Sequence, residues 1–238
     1  GPGSVFKEMI DSGVIPFTVL DVFFRQAKDS RIILNADLIN RNQRSLLFGE
    51  DFQFHKAEDD KEAAQIIAGL YEKELRNFGG NGDMVQVLSP LRVNTEAGVN
   101  ALNRRLQEIA NPGTLDKGEW RCGSITYRTG DKVMQTQNTE EISNGDIGLV
   151  TGIAIQPDGG REMSVCFGEV ERKYQEEELA VLDHAYATSI HKSQGGEYPV
   201  VIIPVLKWFY PMLERNVYYT GVTRAKIRVH LVGSRQAL

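Results

Sequence analysis

The chain has little of what staples or decorates a fold: among 238 residues there are two cysteines, two tryptophans and four histidines. Cys122 and Cys166 stand far apart with no CxxC or His/Cys ligand spacing. That excludes a disulfide scaffold and a zinc site, and leaves two reduced thiols in strand-like stretches. No apolar run approaches the roughly 20 residues that cross a bilayer, and the opening residues lack the basic-then-apolar order of a secretion signal. A soluble cytoplasmic protein with no membrane partner is expected. Excess positive charge is missing too. Lys and Arg number 27 against 32 Asp and Glu, a net −5, which excludes nucleic-acid binding by a general basic surface but not by a local groove. No GxxxxGK[ST] loop occurs to cradle nucleotide phosphates, and no acidic pair follows a strand to hold Mg2+. Nor is there an internal repeat, a low-complexity tract or a nuclease-like carboxylate cluster.

What is there suits a globular chain: 41% hydrophobic and 25% charged residues exclude disorder and leave room for one large or two smaller cores. Gly1 to Ser4 reads as a tag-cleavage remnant, part of which can be native. Apolar residues at helical spacing predict amphipathic helices over Ser30 to Asn40 and Glu62 to Phe78. Gly79, Gly80 and Gly82 end the second before a buried strand from Met84 to Leu88. Asn94 or Thr95 is expected to cap a further helix with Val99, Leu102, Leu106 and Ile109 on one face. Helix, buried strand, helix is the pattern of an α/β layer around a parallel sheet. From about Gly118 to Asp183 the texture changes to short alternating segments, including Asp131 to Gln137, Ile147 to Ile155 and Met163 to Phe167. Turn residues at Asn144-Gly145 and Asp158 to Gly160 separate them, as in a small antiparallel barrel. The α/β pattern returns with a strand at Val200 to Val205, a helix near Arg215 to Ala225 and a strand at Ile227 to Val232. The β module is therefore nested within the α/β domain.

Three stretches carry chemistry. Between Ala187 and Pro199, the hydroxyls of Thr188, Ser189 and Ser193 can bond phosphate oxygens, Gly195 and Gly196 permit close approach of a ligand, and Glu197 can accept from ribose hydroxyls. The same stretch also reads as a polar loop before a capped helix. Near the end of the short helix at 217–226, Arg224 suits an arginine finger, or simply a helix-end charge. Aromatic residues Phe23 and Phe24 precede the polar pair Arg25 and Gln26. The aromatics Trp120, Tyr127 and Phe167 of the β module are expected in its core, with base stacking as the alternative. His55, His184 and His230 carry no signal beyond satisfied or exposed side chains.

Taken in order, these stretches resemble the motifs of superfamily 1 helicases: Phe24 to Gln26 motif IV, Thr188 to Tyr198 motif V, Tyr218 to Lys226 motif VI. The RecD-like group is closer still. Val87 to Arg92, with Leu102 to Gln107 and Asn111-Pro112, is similar to the segment after motif IV there. Gly130 to Gln135, with Asn144 to Gly148, is similar to the start of that group's inserted barrel. The likeness covers nearly the whole chain after Ser4.

This resemblance implies a second RecA-like motor domain, without a phosphate loop of its own, interrupted by a barrel of the Src-homology-3 type. The expected division is a tail of the first RecA-like domain at 5–16, the second RecA-like domain at 17–115 and 184–238, and the barrel at 116–183. It further implies ATP with Mg2+ in a site shared with the N-terminal RecA-like domain of the parent chain. Arg25 and Arg224 would act there as catalytic fingers, with Gln26, Gly196 and Glu197 beside the nucleotide. Thr188, His191 and Ser193, with Arg92 and Asn94, would hold the backbone of single-stranded DNA, translocated 5′ to 3′. On this reading the chain alone hydrolyses no ATP. Two alternatives stand beside it, a non-catalytic module binding single strands or a partner, and the helicase half of a conjugative relaxase. Other subunits of a recombination nuclease are further possible partners.

Overall fold

A computed structural model describes residue 12 and residues 30–43, 45–156, 159–207, 209 and 215–237. The parallel part comprises α1 (Arg31–Asn40), β1 (Phe52–Lys56), α2 (Asp60–Asn77), β2 (Val85–Ser89) and α3 (Val99–Ala110). After an antiparallel section it resumes with β10 (Ala187–Ser189), β11 (Tyr198–Val205), α4 (Arg215–Val222) and β12 (Ala225–Gly233). The five strands pair in the order β1-β12-β11-β2-β10, every pair parallel.

Side-chain alternation along the strands sorts the two faces. Val200 and Ile202 of β11 join Ile67 and Tyr71 of α2 and Leu102 and Leu106 of α3 in one core. Val201, Ile203 and Val205 join Ile32 of α1 and Tyr218 and Val222 of α4 in the other. With both faces covered, β11 in the middle of the sheet is apolar from Val200 to Val205, which is why it reads as a continuous hydrophobic run.

Local chemistry fixes the helix starts. Asp59 Oδ1 accepts the Glu62 N–H at 2.8 Å, so α2 begins two residues before the predicted Glu62. The expected cap of α3 by Asn94 or Thr95 is not formed. Instead Val99 N–H donates to Leu91 O at 2.9 Å and Asn100 N–H to Arg92 O at 3.0 Å, so the preceding turn's backbone satisfies the free amides. Thr95 Oγ1 donates to Asp60 Oδ2 at 2.8 Å, and Asn94 sits in the left-handed region at φ 64°.

The antiparallel strands fall between β2 and β10: β3 (Glu119–Cys122), β4 (Ile125–Arg128), β5 (Lys132–Gln135), β6 (Ile147–Ile155), β7 (Arg161–Phe167), β8 (Val170–Tyr174) and β9 (Leu182–His184). They bond as a hairpin, β3-β4, and a five-stranded sheet in the order β8-β7-β6-β5-β9. Trp120, Tyr127 and Phe167 lie in the core enclosed by these strands, with Val133, Met163 and Tyr174. The core reading of the aromatics therefore holds over base stacking.

One carboxylate ties this module to the parallel domain. Asp131 is fully buried and accepts from Gln107 Nε2 (2.6 Å), Asn111 Nδ2 (2.8 Å), Arg128 N–H (2.7 Å), Tyr186 Oη (2.8 Å) and His184 Nε2 (3.0 Å). Burial alone would raise its pKa; the bonds from His184, Asn111 and Arg128 outweigh that and hold it below the ordinary value. Next to it, buried Lys132 reaches out of the module to Gly82 O at 3.1 Å and Asp83 Oδ1 at 3.4 Å. Its pKa is lowered by burial, against the pull of Asp83.

Candidate functional site

The stretch between β10 and β11 does not stay at one end of the sheet. In a parallel sheet all strands end on the same side, and Ser189 closes β10 opposite Ser89, the last residue of β2. Residues 190–197 then run back along the face bearing α1 and α4, where Ile190 is buried. They reach the opposite end, where Tyr198 opens β11 opposite Ala225. The predicted residues thus divide into two groups at opposite ends of the sheet.

At the start of β11 and β12 the structure gathers Gly196, Glu197 and Arg224. Arg224 O accepts the Tyr198 N–H at 2.8 Å, and Arg224 Nη1 donates to Gly196 O at 3.2 Å. Among the described residues, Arg224 Nε is buried with no hydrogen-bond partner. A buried donor left unpaired costs about 1–3 kcal/mol. A side chain on Gly196 would approach Tyr198 Oη to 2.7 Å, so glycine is what lets the phenol lie against the loop. Burial raises the pKa of that phenol, against the Arg224 charge, and it stays neutral. Lys226 Nζ, which the sequence reading left without a role, pairs with Glu197 Oε2 at 2.8 Å. Arg25 and Gln26 lie outside the described residues.

At the other end, the phosphate-side residues behave differently from one another. His191 is exposed, beside a small pocket shared with Gln194, Asn216 and Thr220. Ser193 does not face outward as expected: it is buried, and its Oγ donates to Ile190 O at 2.7 Å, closing the turn. Thr188 is also turned inward, at 3% exposure, with Oγ1 unpaired. Arg92 and Asn94 are exposed, Arg92 bonding Asp183 Oδ2 at 2.9 Å. Lys192 reaches the same oxygen at 3.7 Å. Asp183 thus collects two cations from segments 100 residues apart, a meeting that only the tertiary fold makes visible. Among the described residues no cluster of His, Cys, Asp or Glu is placed to hold a metal, both cysteines are free, and no helix is long and apolar enough to cross a membrane.

Comparison with known proteins agrees with this architecture. Residues 184–232 match the family model of the UvrD-like helicase C-terminal domain, and residues 102–167 that of the SH3 domain of ATP-dependent RecD-like DNA helicases. The Pif1 helicase of Candida albicans superposes over 91% of this chain and 56% of its own with a TM-score of 0.53, at 16% identity, a likeness of fold. A RecA-like parallel sheet carrying an SH3-type module defines the class, the helicase C-terminal domains. The ATP-dependent RecD2 DNA helicase of Deinococcus radiodurans is 34% identical over 93% of this chain, and the RecBCD enzyme subunit RecD of Mycolicibacterium smegmatis 29% identical over 74%. Within the class, then, the chain belongs with the RecD-like DNA helicases of superfamily 1B. It spans 29% and 32% of the length of those two relatives.

Proposed function

We propose that the chain is the second motor half of an ATP-dependent DNA helicase, contributing one wall of a shared ATP site and part of a single-strand track. The observation that carries this reading is Arg224, a guanidinium with a buried, unpaired Nε beside Gly196 and Glu197 at one end of the parallel sheet. These residues fit a nucleotide: the arginine offers N–H donors to phosphate oxygens, the glycine leaves its backbone open, and the glutamate accepts from hydroxyls. ATP with Mg2+ would supply the transferable phosphoryl group, held mainly by the phosphate loop of an N-terminal RecA-like domain.

Arg224, with Arg25 as a second finger, stabilises the negative charge that grows on phosphate oxygens in the transition state. Gln26 positions that region. His191, Arg92 and Asn94 lie exposed at the far end of the sheet, where they contact the strand backbone without reading sequence. Thr188 and Ser193 support this end from within. The motor parts are 17–115 and 184–238, with the barrel at 116–183. Movement 5′ to 3′, and company with nuclease subunits as in the RecBCD relatives, rest on kinship alone.

The test is reconstitution. The chain is mixed with a separately made N-terminal RecA-like half, and ATP hydrolysis is followed with and without single-stranded DNA. Hydrolysis stimulated by DNA and abolished by Arg224→Ala supports the reading. Binding of both components, with hydrolysis unchanged from the N-terminal half alone, leaves a binding module.

A further inference from the structure

A cleft of about 220 Å3 lies between α3 and the β3-β4 hairpin, outside every residue assigned above except Asp183 at its edge. Its floor is Gln107 and His184, both buried and both held by Asp131, so it is rigid. The acids around it are already paired. Glu108 bonds Arg128 at 2.8 Å, and Asp183 is shared by Arg92 and Lys192. Arg104, on the exposed face of α3, lines the cleft with no hydrogen bond or ion pair among the described residues, while its neighbour Arg105 is taken up by Glu96. The cleft therefore presents one uncommitted cation. Facing it are the Ser124 hydroxyl and the apolar Ile125 side chain on the hairpin, with the Asn100 amide on α3.

One apolar side chain, an amide, a hydroxyl and a guanidinium with no partner among the described residues match a planar ring with hydrogen-bonding edges joined to an anion. The volume suits a single base, being below the roughly 300–1,000 Å3 of pockets for larger ligands. We infer that this cleft takes one unstacked nucleotide of a single strand that continues from Arg92, its base between Ile125 and Asn100 and its phosphate on Arg104. A base-paired strand has no free base to insert, so the site selects single strands. The inference rests on the strand track proposed above and extends it to the junction with the barrel.

The test is fluorescence anisotropy of labelled oligothymidylate with the 238-residue chain over a range of salt. It compares the unsubstituted protein with Arg104→Ala and with Ser124→Trp, which fills the cleft. Both sites are exposed, and equal melting temperatures establish that the variants are folded. Arg104→Ala is expected to flatten the slope of log affinity against log salt by about 0.7, one phosphate contact on a single strand. Ser124→Trp is expected to weaken binding about fivefold or more, as for a lost base contact. If the unsubstituted chain binds and neither variant changes slope or affinity, the cleft is not a nucleotide site, while the track at Arg92 and His191 stands. If the unsubstituted chain binds no single strand at any salt, the track fails and the cleft with it.

Discussion

Arg224 donates to the carbonyl of Gly196 at 3.2 Å, so the arginine in the turn between α4 and β12 is braced by the loop that opens β11. One bond holds the guanidinium in place while its Nε stays buried and unpaired. Replacing Arg224 by Ala is expected to lower hydrolysis in the reconstituted motor on the order of a thousandfold. The melting temperature should barely move. Steady-state hydrolysis alongside thermal denaturation checks this, and a parallel loss of stability would mark the arginine as structural.

Asp131 gathers five donors from α3 and the residue after it, the end of β4, β9 and the link between β9 and β10. Asp131→Ala removes the acceptor of the Arg128 N–H, Tyr186 Oη and His184 Nε2 in a buried place, while Gln107 keeps Thr126 O and Asn111 keeps Thr129 O, at about 1–3 kcal/mol for each donor left unsatisfied. A loss of at least about 3 kcal/mol in denaturant unfolding is expected. Limited proteolysis should then release the antiparallel module first.

A second buried cluster sets the response to acid. Glu74 Oε1 and Oε2 accept from Arg228 Nη1 at 2.8 and 2.9 Å, His230 Nε2 lies 3.1 Å from Oε1, and His55 Nε2 lies 3.0 Å from His230 Nδ1. Burial pushes His230 down from 6.5 to about 4, Glu74 opposing and the His55 and Arg228 charges assisting. A histidine depressed in the folded state takes up its proton more readily when unfolded, so stability falls as pH drops from about 6.5 toward 4. Chemical denaturation across that window should show this loss, and His230→Gln should flatten it.

Asp183 holds Arg92 and Lys192 at the exposed end of the sheet. Such exposed pairs contribute under about 1 kcal/mol to stability. Asp183→Asn is therefore expected to leave the melting temperature nearly unchanged while tightening single-strand binding, since both cations are freed for phosphate. Weaker binding in the titration would place the strand elsewhere.

The fold was legible where burial imposes periodicity. Val200 to Val205 read as a strand because both faces of the sheet are covered, and α2 read as a helix because Ala63, Ile67 and Tyr71 share one face. The start of α3 was misread because its amides are met by backbone carbonyls of a turn, which leave no mark in residue type. At the candidate site, Gly196, Glu197 and Arg224 could be singled out from the sequence because each lies in one of two short polar stretches, and the structure brings them together. The inward turn of Ser193 was not legible because a hydroxyl that closes a turn looks the same in sequence as one that meets a ligand. Asp131, Asp183 and the His230 cluster escaped notice because each takes its partners from distant segments.

Residues 190–197 connect opposite ends of the sheet, and their length matters. Val87 stands opposite both Ala187 and Ile202, so Ser189 lies two rungs past that level and Tyr198 four before it. The separation is roughly 20 Å along the strands, a large part of what this short segment can span when His191–Ser193 is already coiled into a turn. The segment therefore has little slack between its turns, so a shift at His191 pulls on Gly196 and on the arginine braced against it.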